Sequence, residues 1–338
     1  MISRVADHAF WLGRYVERAE STARLLATTR SLALDAELDP AACWRPVVVV
    51  SGEEPTYAER TADDAAAWGD GDRIERFLAT DPTVAASIAR SIAAARDNAR
   101  SIREVVSLET WEAVNALYLW AGSPEAARAF ADGRYGYYRH VRDATQLVLG
   151  LMRSTMLHDE PLDFIWLGVM LERVSQTARI LDVQHHAFTS VANRHEVVET
   201  GLWLSLLRSL SGFEPFMKQN QGRVDAAAVA RFLVRETRFP RSIAYCVHAA
   251  HQRLAAIRPP TATDLPGGVT LARLAALDAR VAGLDDELRG PAVHRLLTEV
   301  VDAIHDACDS LGKELLGYGP RPPPLLPGRA RGRPGELR

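Results

Sequence analysis

The amino-acid sequence predicts an all-α protein: an internally duplicated helical bundle ending in a disordered Pro/Arg-rich tail. Three observations carry that prediction. Apolar residues recur three and four apart through most of the 338 residues, the helical period, while β-branched alternation is nearly absent. The chain repeats a long block about 155 residues further on. Residues 319–338 hold six of the 18 prolines and five arginines, a composition that solvates rather than packs.

The repeat is the most specific of the three. Trp11-Leu12-Gly13-Arg14-Tyr15-Val16-Glu17-Arg18 through Thr22-Ala23-Arg24 returns as Trp166-Leu167-Gly168 through Glu172-Arg173 and Thr177-Ala178-Arg179. At the same spacing Arg76-Phe77-Leu78 matches Arg231-Phe232-Leu233, and Ser87-Ile88-Ala89 matches Ser242-Ile243-Ala244. Between these, Ser51-Gly52-Glu53-Glu54-Pro55 is similar to Ser211-Gly212-Phe213-Glu214-Pro215, displaced by a short insertion. Three blocks in one order predict two helical units, residues 1–150 and 151–317, packed as one domain about a pseudo-two-fold axis, with 318–338 as the tail.

Each unit opens with the Trp-Leu-Gly helix. Val47-Val48-Val49-Val50, the one strand-like run, is too short and isolated to argue for a sheet and reads equally as a buried helical turn. A long helix is expected near 84–106, then a segment from Glu109 to Trp120, a Gly-Ser-Pro turn at 122–124 and a helix near 136–157. In the second unit a long helix near 239–257 stops at Pro259-Pro260, and Pro266-Gly267-Gly268 precedes helices near 269–283 and 291–316.

Composition excludes several function classes. Forty Lys plus Arg against 43 Asp plus Glu leave a net charge of −3, so no overall positive field draws the chain to nucleic acid or anionic lipid. No stretch approaches the roughly 20 apolar residues of a membrane span. Arg4, Asp7 and Arg14 interrupt any signal core, and the scattered Cys43, Cys246 and Cys308 form neither a disulfide framework nor a zinc site. The expected location is the cytoplasm.

On a helix, Gly13, Glu17, Glu20 and Arg24 share one stripe, with Arg14, Arg18 and Ser21 beside it. The second copy reads Gly168, Glu172, Ser175 and Arg179, flanked by Arg173 and Gln176. A helical glycine costs roughly 0.8–1 kcal/mol against alanine, so its presence in both copies points to a close approach by another backbone or a ligand. An exposed ion pair gives only about 0–1 kcal/mol, so repeated charges are expected in the interior or a cleft. Two readings stay open. In one, structural salt bridges join Glu17 to Arg18 or Arg24 and Glu172 to Arg179. In the other, the paired helices present a cleft whose arginines bind carboxylate or phosphate while a glutamate handles an amine or a proton.

Other candidates are weaker. Arg96, Arg100 and Arg103 stack along one helix face, either solvated or as an anion-binding strip, and Trp111 with Asn115 is a packed aromatic with a hydrogen-bonding cap or a lip of the cleft. His248 and His251, His185 and His186, and His195-Glu196 lack zincin spacing, so no metal is expected. No nucleophile elbow or Cys–His dyad is present, and Ser242 after Pro240-Arg241 reads as a helix cap.

The run from Trp11 to Arg24, the segment Ala95-Arg96-Asp97-Asn98-Ala99-Arg100 leading to Arg103-Glu104, Trp111 to Asn115, Trp166-Leu167-Gly168 with Glu172-Arg173, and Phe239-Pro240-Arg241-Ser242 together resemble the bacterial alpha-E family, over the chain up to about residue 317. The resemblance implies an accessory or substrate-binding component of an amide- or peptide-bond-forming system. Its partner would be a circularly permuted ATP-grasp protein, with a transglutaminase-like protease often nearby. ATP and Mg would then belong to the partner, since this chain has no Gly-rich phosphate loop, and no intrinsic cofactor is implied. The residues carried over are Glu17 and Glu172 as catalytic candidates. For a small-molecule or peptide substrate they are Arg14, Arg18, Glu20, Arg24, Arg173, Arg179, Arg96, Asn98, Arg100, Arg103, Trp111, Asn115 and Arg241. Val169 and Met170 depart from the first copy's Arg14 and Tyr15, which makes any site asymmetric. A non-catalytic scaffold for the ligase, and a stand-alone glutamate-dependent hydrolase or transferase, are the competing functions.

Overall fold

A computed structural model describes residues 3–35, 39–189, 196–220, 224–262, 264–284 and 291–318. Among them the chain is all-helical, with no strand. The first part holds α1 (Ser3–Asp35), α2 (Pro40–Ser51), α3 (Glu54–Thr61), α4 (Gly71–Ala79), α5 (Ile88–Ser101), α6 (Leu108–Ala121), α7 (Pro124–Ala131) and α8 (Tyr135–Thr155). The rest holds α9 (Glu160–Thr189), α10 (Glu196–Ser209), α11 (Phe213–Gln219), α12 (Ala226–Arg235), α13 (Ile243–Ile257), α14 (Gly268–Ala282) and α15 (Pro291–Glu314).

The long helices α1 and α9 pack on each other at the centre. Around α1 stand α5 and α8, with α6 touching both; around α9 stand α13 and α15, with α14 touching both. Two shorter helices cross over, α2 onto α9 and α10 onto α1. Both central helices are apolar on several sides, as buried helices must be, and Phe10, Leu12, Leu26, Ile165, Leu167 and Leu171 are fully buried.

Two glycines set the spacing of the central pair. A Cβ on Gly13 would collide with the carbonyl oxygen of Ile165, and a Cβ on Gly168 would collide with that of Phe10. The contacts are reciprocal, and they explain why the sequence tolerates two helix-weakening residues at matching places.

Local signals account for most boundaries. The Ser87 hydroxyl accepts the Arg90 N–H and starts α5, and the Ser242 hydroxyl accepts the Tyr245 N–H and starts α13. The helices expected to begin near 84 and 239 therefore begin at Ile88 and Ile243, because the capping serines fix the first turn. Val47 to Val50 lie in α2, which Asp39 caps and Pro40 opens, and Val47, Val48 and Val50 are buried. The Gly-Ser-Pro turn ends in Ser123, the cap of α7. At the far end, Tyr318 docks on α1: its hydroxyl accepts from Trp11 Nε1 at 2.6 Å and donates to Asp7 Oδ1 at 2.5 Å. The remainder of the expected tail, residues 319–338, lies outside the described residues, as do His195 and the side chains of His185 and His186.

Candidate functional site

The repeated stripes face each other across the α1–α9 contact and build two cavities. The pairs expected within one helix, Glu17 with Arg18 or Arg24 and Glu172 with Arg179, are not the pairs that form. Neighbours i and i+1 point apart, and residues seven apart are separated by about 10 Å of helix rise, so Glu17 and Glu172 take their arginines from other elements, while Arg24 turns to Glu20 four residues before it.

In the first cavity, of about 340 Å³, the buried Glu172 carboxylate receives Arg14 Nε at 2.6 Å and a two-pronged contact from Arg18, Nε at 2.8 Å and Nη2 at 3.0 Å. Gln176 Nε2 adds a fourth donor at 3.2 Å. Burial alone pushes this carboxyl up, but the guanidiniums of Arg18 and Arg14 outweigh it and hold Glu172 well below the usual carboxylate range. Aromatic rings back the cations, Arg18 lying over Tyr15 at 5.4 Å and Arg14 over Trp11 at 5.7 Å. Arg179, Ser175, Gly52, Glu53 and His305 complete the wall.

The second cavity, of about 690 Å³, lies beside Glu17. Arg241 Nη1 reaches Glu17 Oε1 at 2.6 Å, and Arg173 Nε approaches Oε2 at 2.9 Å. Arg241 Nη2 also reaches Glu20 Oε2 at 2.7 Å, Arg24 pairs with Glu20 one turn earlier, and Gln146 donates to Glu20 at 3.2 Å. Burial raises the Glu20 carboxyl, yet Arg241 and Arg24 bring it down to about 2. Arg241 precedes the cap of α13, so the Ser242 turn aims its side chain at α1, and its carbonyl accepts from Thr177 at 2.8 Å.

Glu20 and Glu172 are held ionised by their arginines. Each carboxylate is taken up by guanidiniums, an arrangement that fixes charge and orients donors. Both cavities are open to solvent and set guanidinium and carboxylate groups side by side in their walls.

The structure thus gathers Arg14, Glu17, Arg18, Glu20, Arg24, Glu172, Arg173, Arg179 and Arg241 around the α1–α9 seam. It does not bring Arg96, Asn98, Arg100, Arg103, Trp111 or Asn115 into either cavity. Trp111 is packed under Arg103, 4.6 Å from ring to guanidinium, and Arg96 donates to Asn115 Oδ1 at 3.4 Å. Arg100 is exposed beside Asp97, and Asn98 Oδ1 accepts from His8 Nδ1 at 2.8 Å. Sequence reasoning missed His305, Gln146 and Arg142 as lining residues, and Glu53 although its Ser-Gly block was visible in the repeat. It also missed a separate buried cluster in which Glu75 takes Arg30 at 2.6 Å, Arg134 at 3.1 Å and the Tyr138 hydroxyl at 3.0 Å. No group of three or more His, Cys, Asp or Glu side chains is placed to hold a metal among the described residues; His248 and His251 both lean on Asp278, each at 3.0 Å.

Fold and site together define an all-α bundle protein whose central helix pair is cross-braced by buried guanidinium–carboxylate clusters. The chain belongs to the Alpha-E family, a predicted alpha-helical domain with a conserved ER motif, which it matches over residues 1–316. Glu17-Arg18 and Glu172-Arg173 are the Glu-Arg dipeptides at its seam. Similar proteins include an uncharacterised protein of Mycobacterium bovis and uncharacterised proteins of two Mycobacterium tuberculosis strains, each 26% identical over 278 residues. The match takes in 78% of this chain but spans only 30% of the length of each of these relatives. No solved structure matches the chain. No helix among the described residues is long and apolar enough to cross a membrane.

Proposed function

We propose that this chain is the substrate-holding accessory of an ATP-grasp ligase that forms amide or peptide bonds, built from a duplicated helical unit, and acting in the cytoplasm. The observation that carries the reading is the first cavity: a walled, arginine-lined space at the seam of two matching helices, with donors fixed in place before any ligand arrives. Such a space suits an anionic substrate group, and helical bundles build their sites at facing helices in this way. The duplication is supported by the reciprocal glycine contacts and by the matching neighbours of α1 and α9. The partnership is supported by the relatives, in which the matched stretch is a minor part of a much longer chain. In this reading ATP and Mg bind the partner, a transglutaminase-like protease is a further associate, and nucleic acid is not a ligand.

The test is product formation by a circularly permuted ATP-grasp protein from the same organism, measured with and without the chain and then with Arg18→Ala. Stimulation that disappears in a folded Arg18→Ala supports the reading, and identical yields in all three remove it. A second reading, a scaffold that only stabilises the ligase, is favoured by the ion pairing of Glu17, Glu20 and Glu172. It requires Glu17→Gln to lower Tm while leaving ligase activity unchanged wherever the protein is folded.

A further inference from the structure

Positions 20 and 175 match in the repeat, yet one is glutamate and the other serine. On α1, Arg24 therefore finds the Glu20 carboxylate one turn earlier. On α9, Arg179 finds only the Ser175 hydroxyl position, and no carboxylate among the described residues pairs with it. Its hydrogen bond goes to the exposed His305 Nε2 at 3.3 Å. Arg179 is a half-buried cation facing the first cavity, where burial and the nearby Arg18 and Arg14 disfavour its charge and Glu172 offsets them only in part.

Glu53 stands in the same wall. It is 7% exposed, and its Oε1 accepts the Ala86 N–H at 2.9 Å, while its other oxygen has no protein donor among the described residues. Gly52, next to Glu53 in the chain, adopts a left-handed conformation, φ 77°, and a Cβ there would sit 3.6 Å from Arg179 Nη1. From this geometry we infer that the first cavity binds the carboxylate of a small amine-bearing molecule, an amino acid or short peptide, with Arg179 taking the carboxylate and Glu53 the amine.

The chemistry selects within anions. A guanidinium presents two parallel N–H donors that match a carboxylate's two oxygens. The wall carries the three guanidiniums of Arg14, Arg18 and Arg179 against the two carboxylates of Glu172 and Glu53, a single positive charge in excess that a singly charged carboxylate balances and a phosphate dianion overshoots. The volume of about 340 Å³ lies at the small end of ligand sites, which run from roughly 300 to 1,000 Å³. The second cavity lacks this opening because Glu20 already occupies Arg24.

The inference rests on the reading of the chain as a binding component, but it is tested on the full chain alone. Dialanine, sodium acetate, alaninamide and inorganic phosphate are titrated calorimetrically. Dialanine should bind saturably and be displaced by acetate, and alaninamide, which has the amine without the carboxylate, should not bind. Ser175→Glu supplies Arg179 with the carboxylate that Arg24 has, and should weaken dialanine binding by at least roughly tenfold. Its Tm should stay level or rise, a combination that unfolding cannot produce. Arg179→Gln should lose binding to the same extent. Equal dialanine affinity in wild type and Ser175→Glu, no binding by either carboxylate probe, or tighter binding of phosphate than of dialanine would each overturn the inference. A chain that stimulates the ligase but binds no dialanine sinks only this inference, and one that binds dialanine but never stimulates sinks only the partnership.

Discussion

The two cavities neutralise equivalent carboxylates with cations drawn from different parts of the chain. Around Glu172 the second guanidinium is Arg14, supplied by the facing central helix. Around Glu17 the residue matching Arg14 is Val169, and the second guanidinium comes instead from Arg241, which precedes the serine cap of α13. The residue in that place before the cap of α5 is Ala86. A buried carboxylate needs strong compensation, because one left unpaired carries several kcal/mol of desolvation penalty. What is kept between the cavities is the count of cations at each carboxylate, and the position that supplies them is free to change.

Removing the borrowed cation is the most severe way to break this comparison. Arg241 serves two buried carboxylates, Glu17 and Glu20, so Arg241→Ala should lower unfolding free energy by about 3–5 kcal/mol in urea titrations. Arg14→Ala should lose less, about 1.5–3 kcal/mol, because Glu172 keeps its two-pronged contact with Arg18. Equal losses would mean that the cavities are not two solutions to one problem. Next in size is the close approach that the cavities share. Gly13→Ala and Gly168→Ala each push a methyl group into a facing carbonyl and should each lose up to about 3 kcal/mol, by similar amounts, in the same measurement.

Much of this was legible in the sequence. The helical stripe could be read because Gly, Glu and Arg fall on one face, and the repeat marked that face as interior. Arg241 was reached only through the family resemblance of Phe239-Pro240-Arg241-Ser242, since its reach to Glu17 depends on how the turn before Ser242 docks against α1. Cross-element pairs are tertiary facts, and periodicity within one helix cannot supply them. The Arg96, Arg100 and Arg103 strip was legible as a strip but not as lying outside the cavities, because spacing gives the face of a helix and not what covers it. The Glu75 cluster left no trace in the repeat, where Ala230 holds the corresponding place.

Acidification sharpens the contrast between the seam and that separate cluster. The Glu20 carboxyl is brought from its ordinary 4.5 to about 2, so its contribution is complete above about 4.5 and is lost as pH falls toward 2. Glu20→Gln should be less stable at neutral pH but should lose on the order of 2–3 kcal/mol less across that window, followed by denaturation at each pH. Glu75 shifts the other way: burial raises it, and Arg30, Tyr138 and Arg134 only partly offset that. Its contribution is present below the ordinary carboxylate value and is lost as pH rises through the raised one. Glu75→Gln should therefore make the acid loss steeper than in wild type, opposite in sign to Glu20→Gln.

The mildest test uses a glycine that closes nothing. Gly150 lies on the exposed face of α8, and no heavy atom stands within 4 Å of where its Cβ would be. Its helical position carries the entropic penalty of glycine without the close contact that requires Gly13 or Gly168. Gly150→Ala should raise stability by about 0.5–1 kcal/mol, read as a small upward shift in Tm. A loss there would mean that the helices around α1 are packed more tightly than the central pair alone demands, and the special standing of the two seam glycines would no longer follow from their contacts.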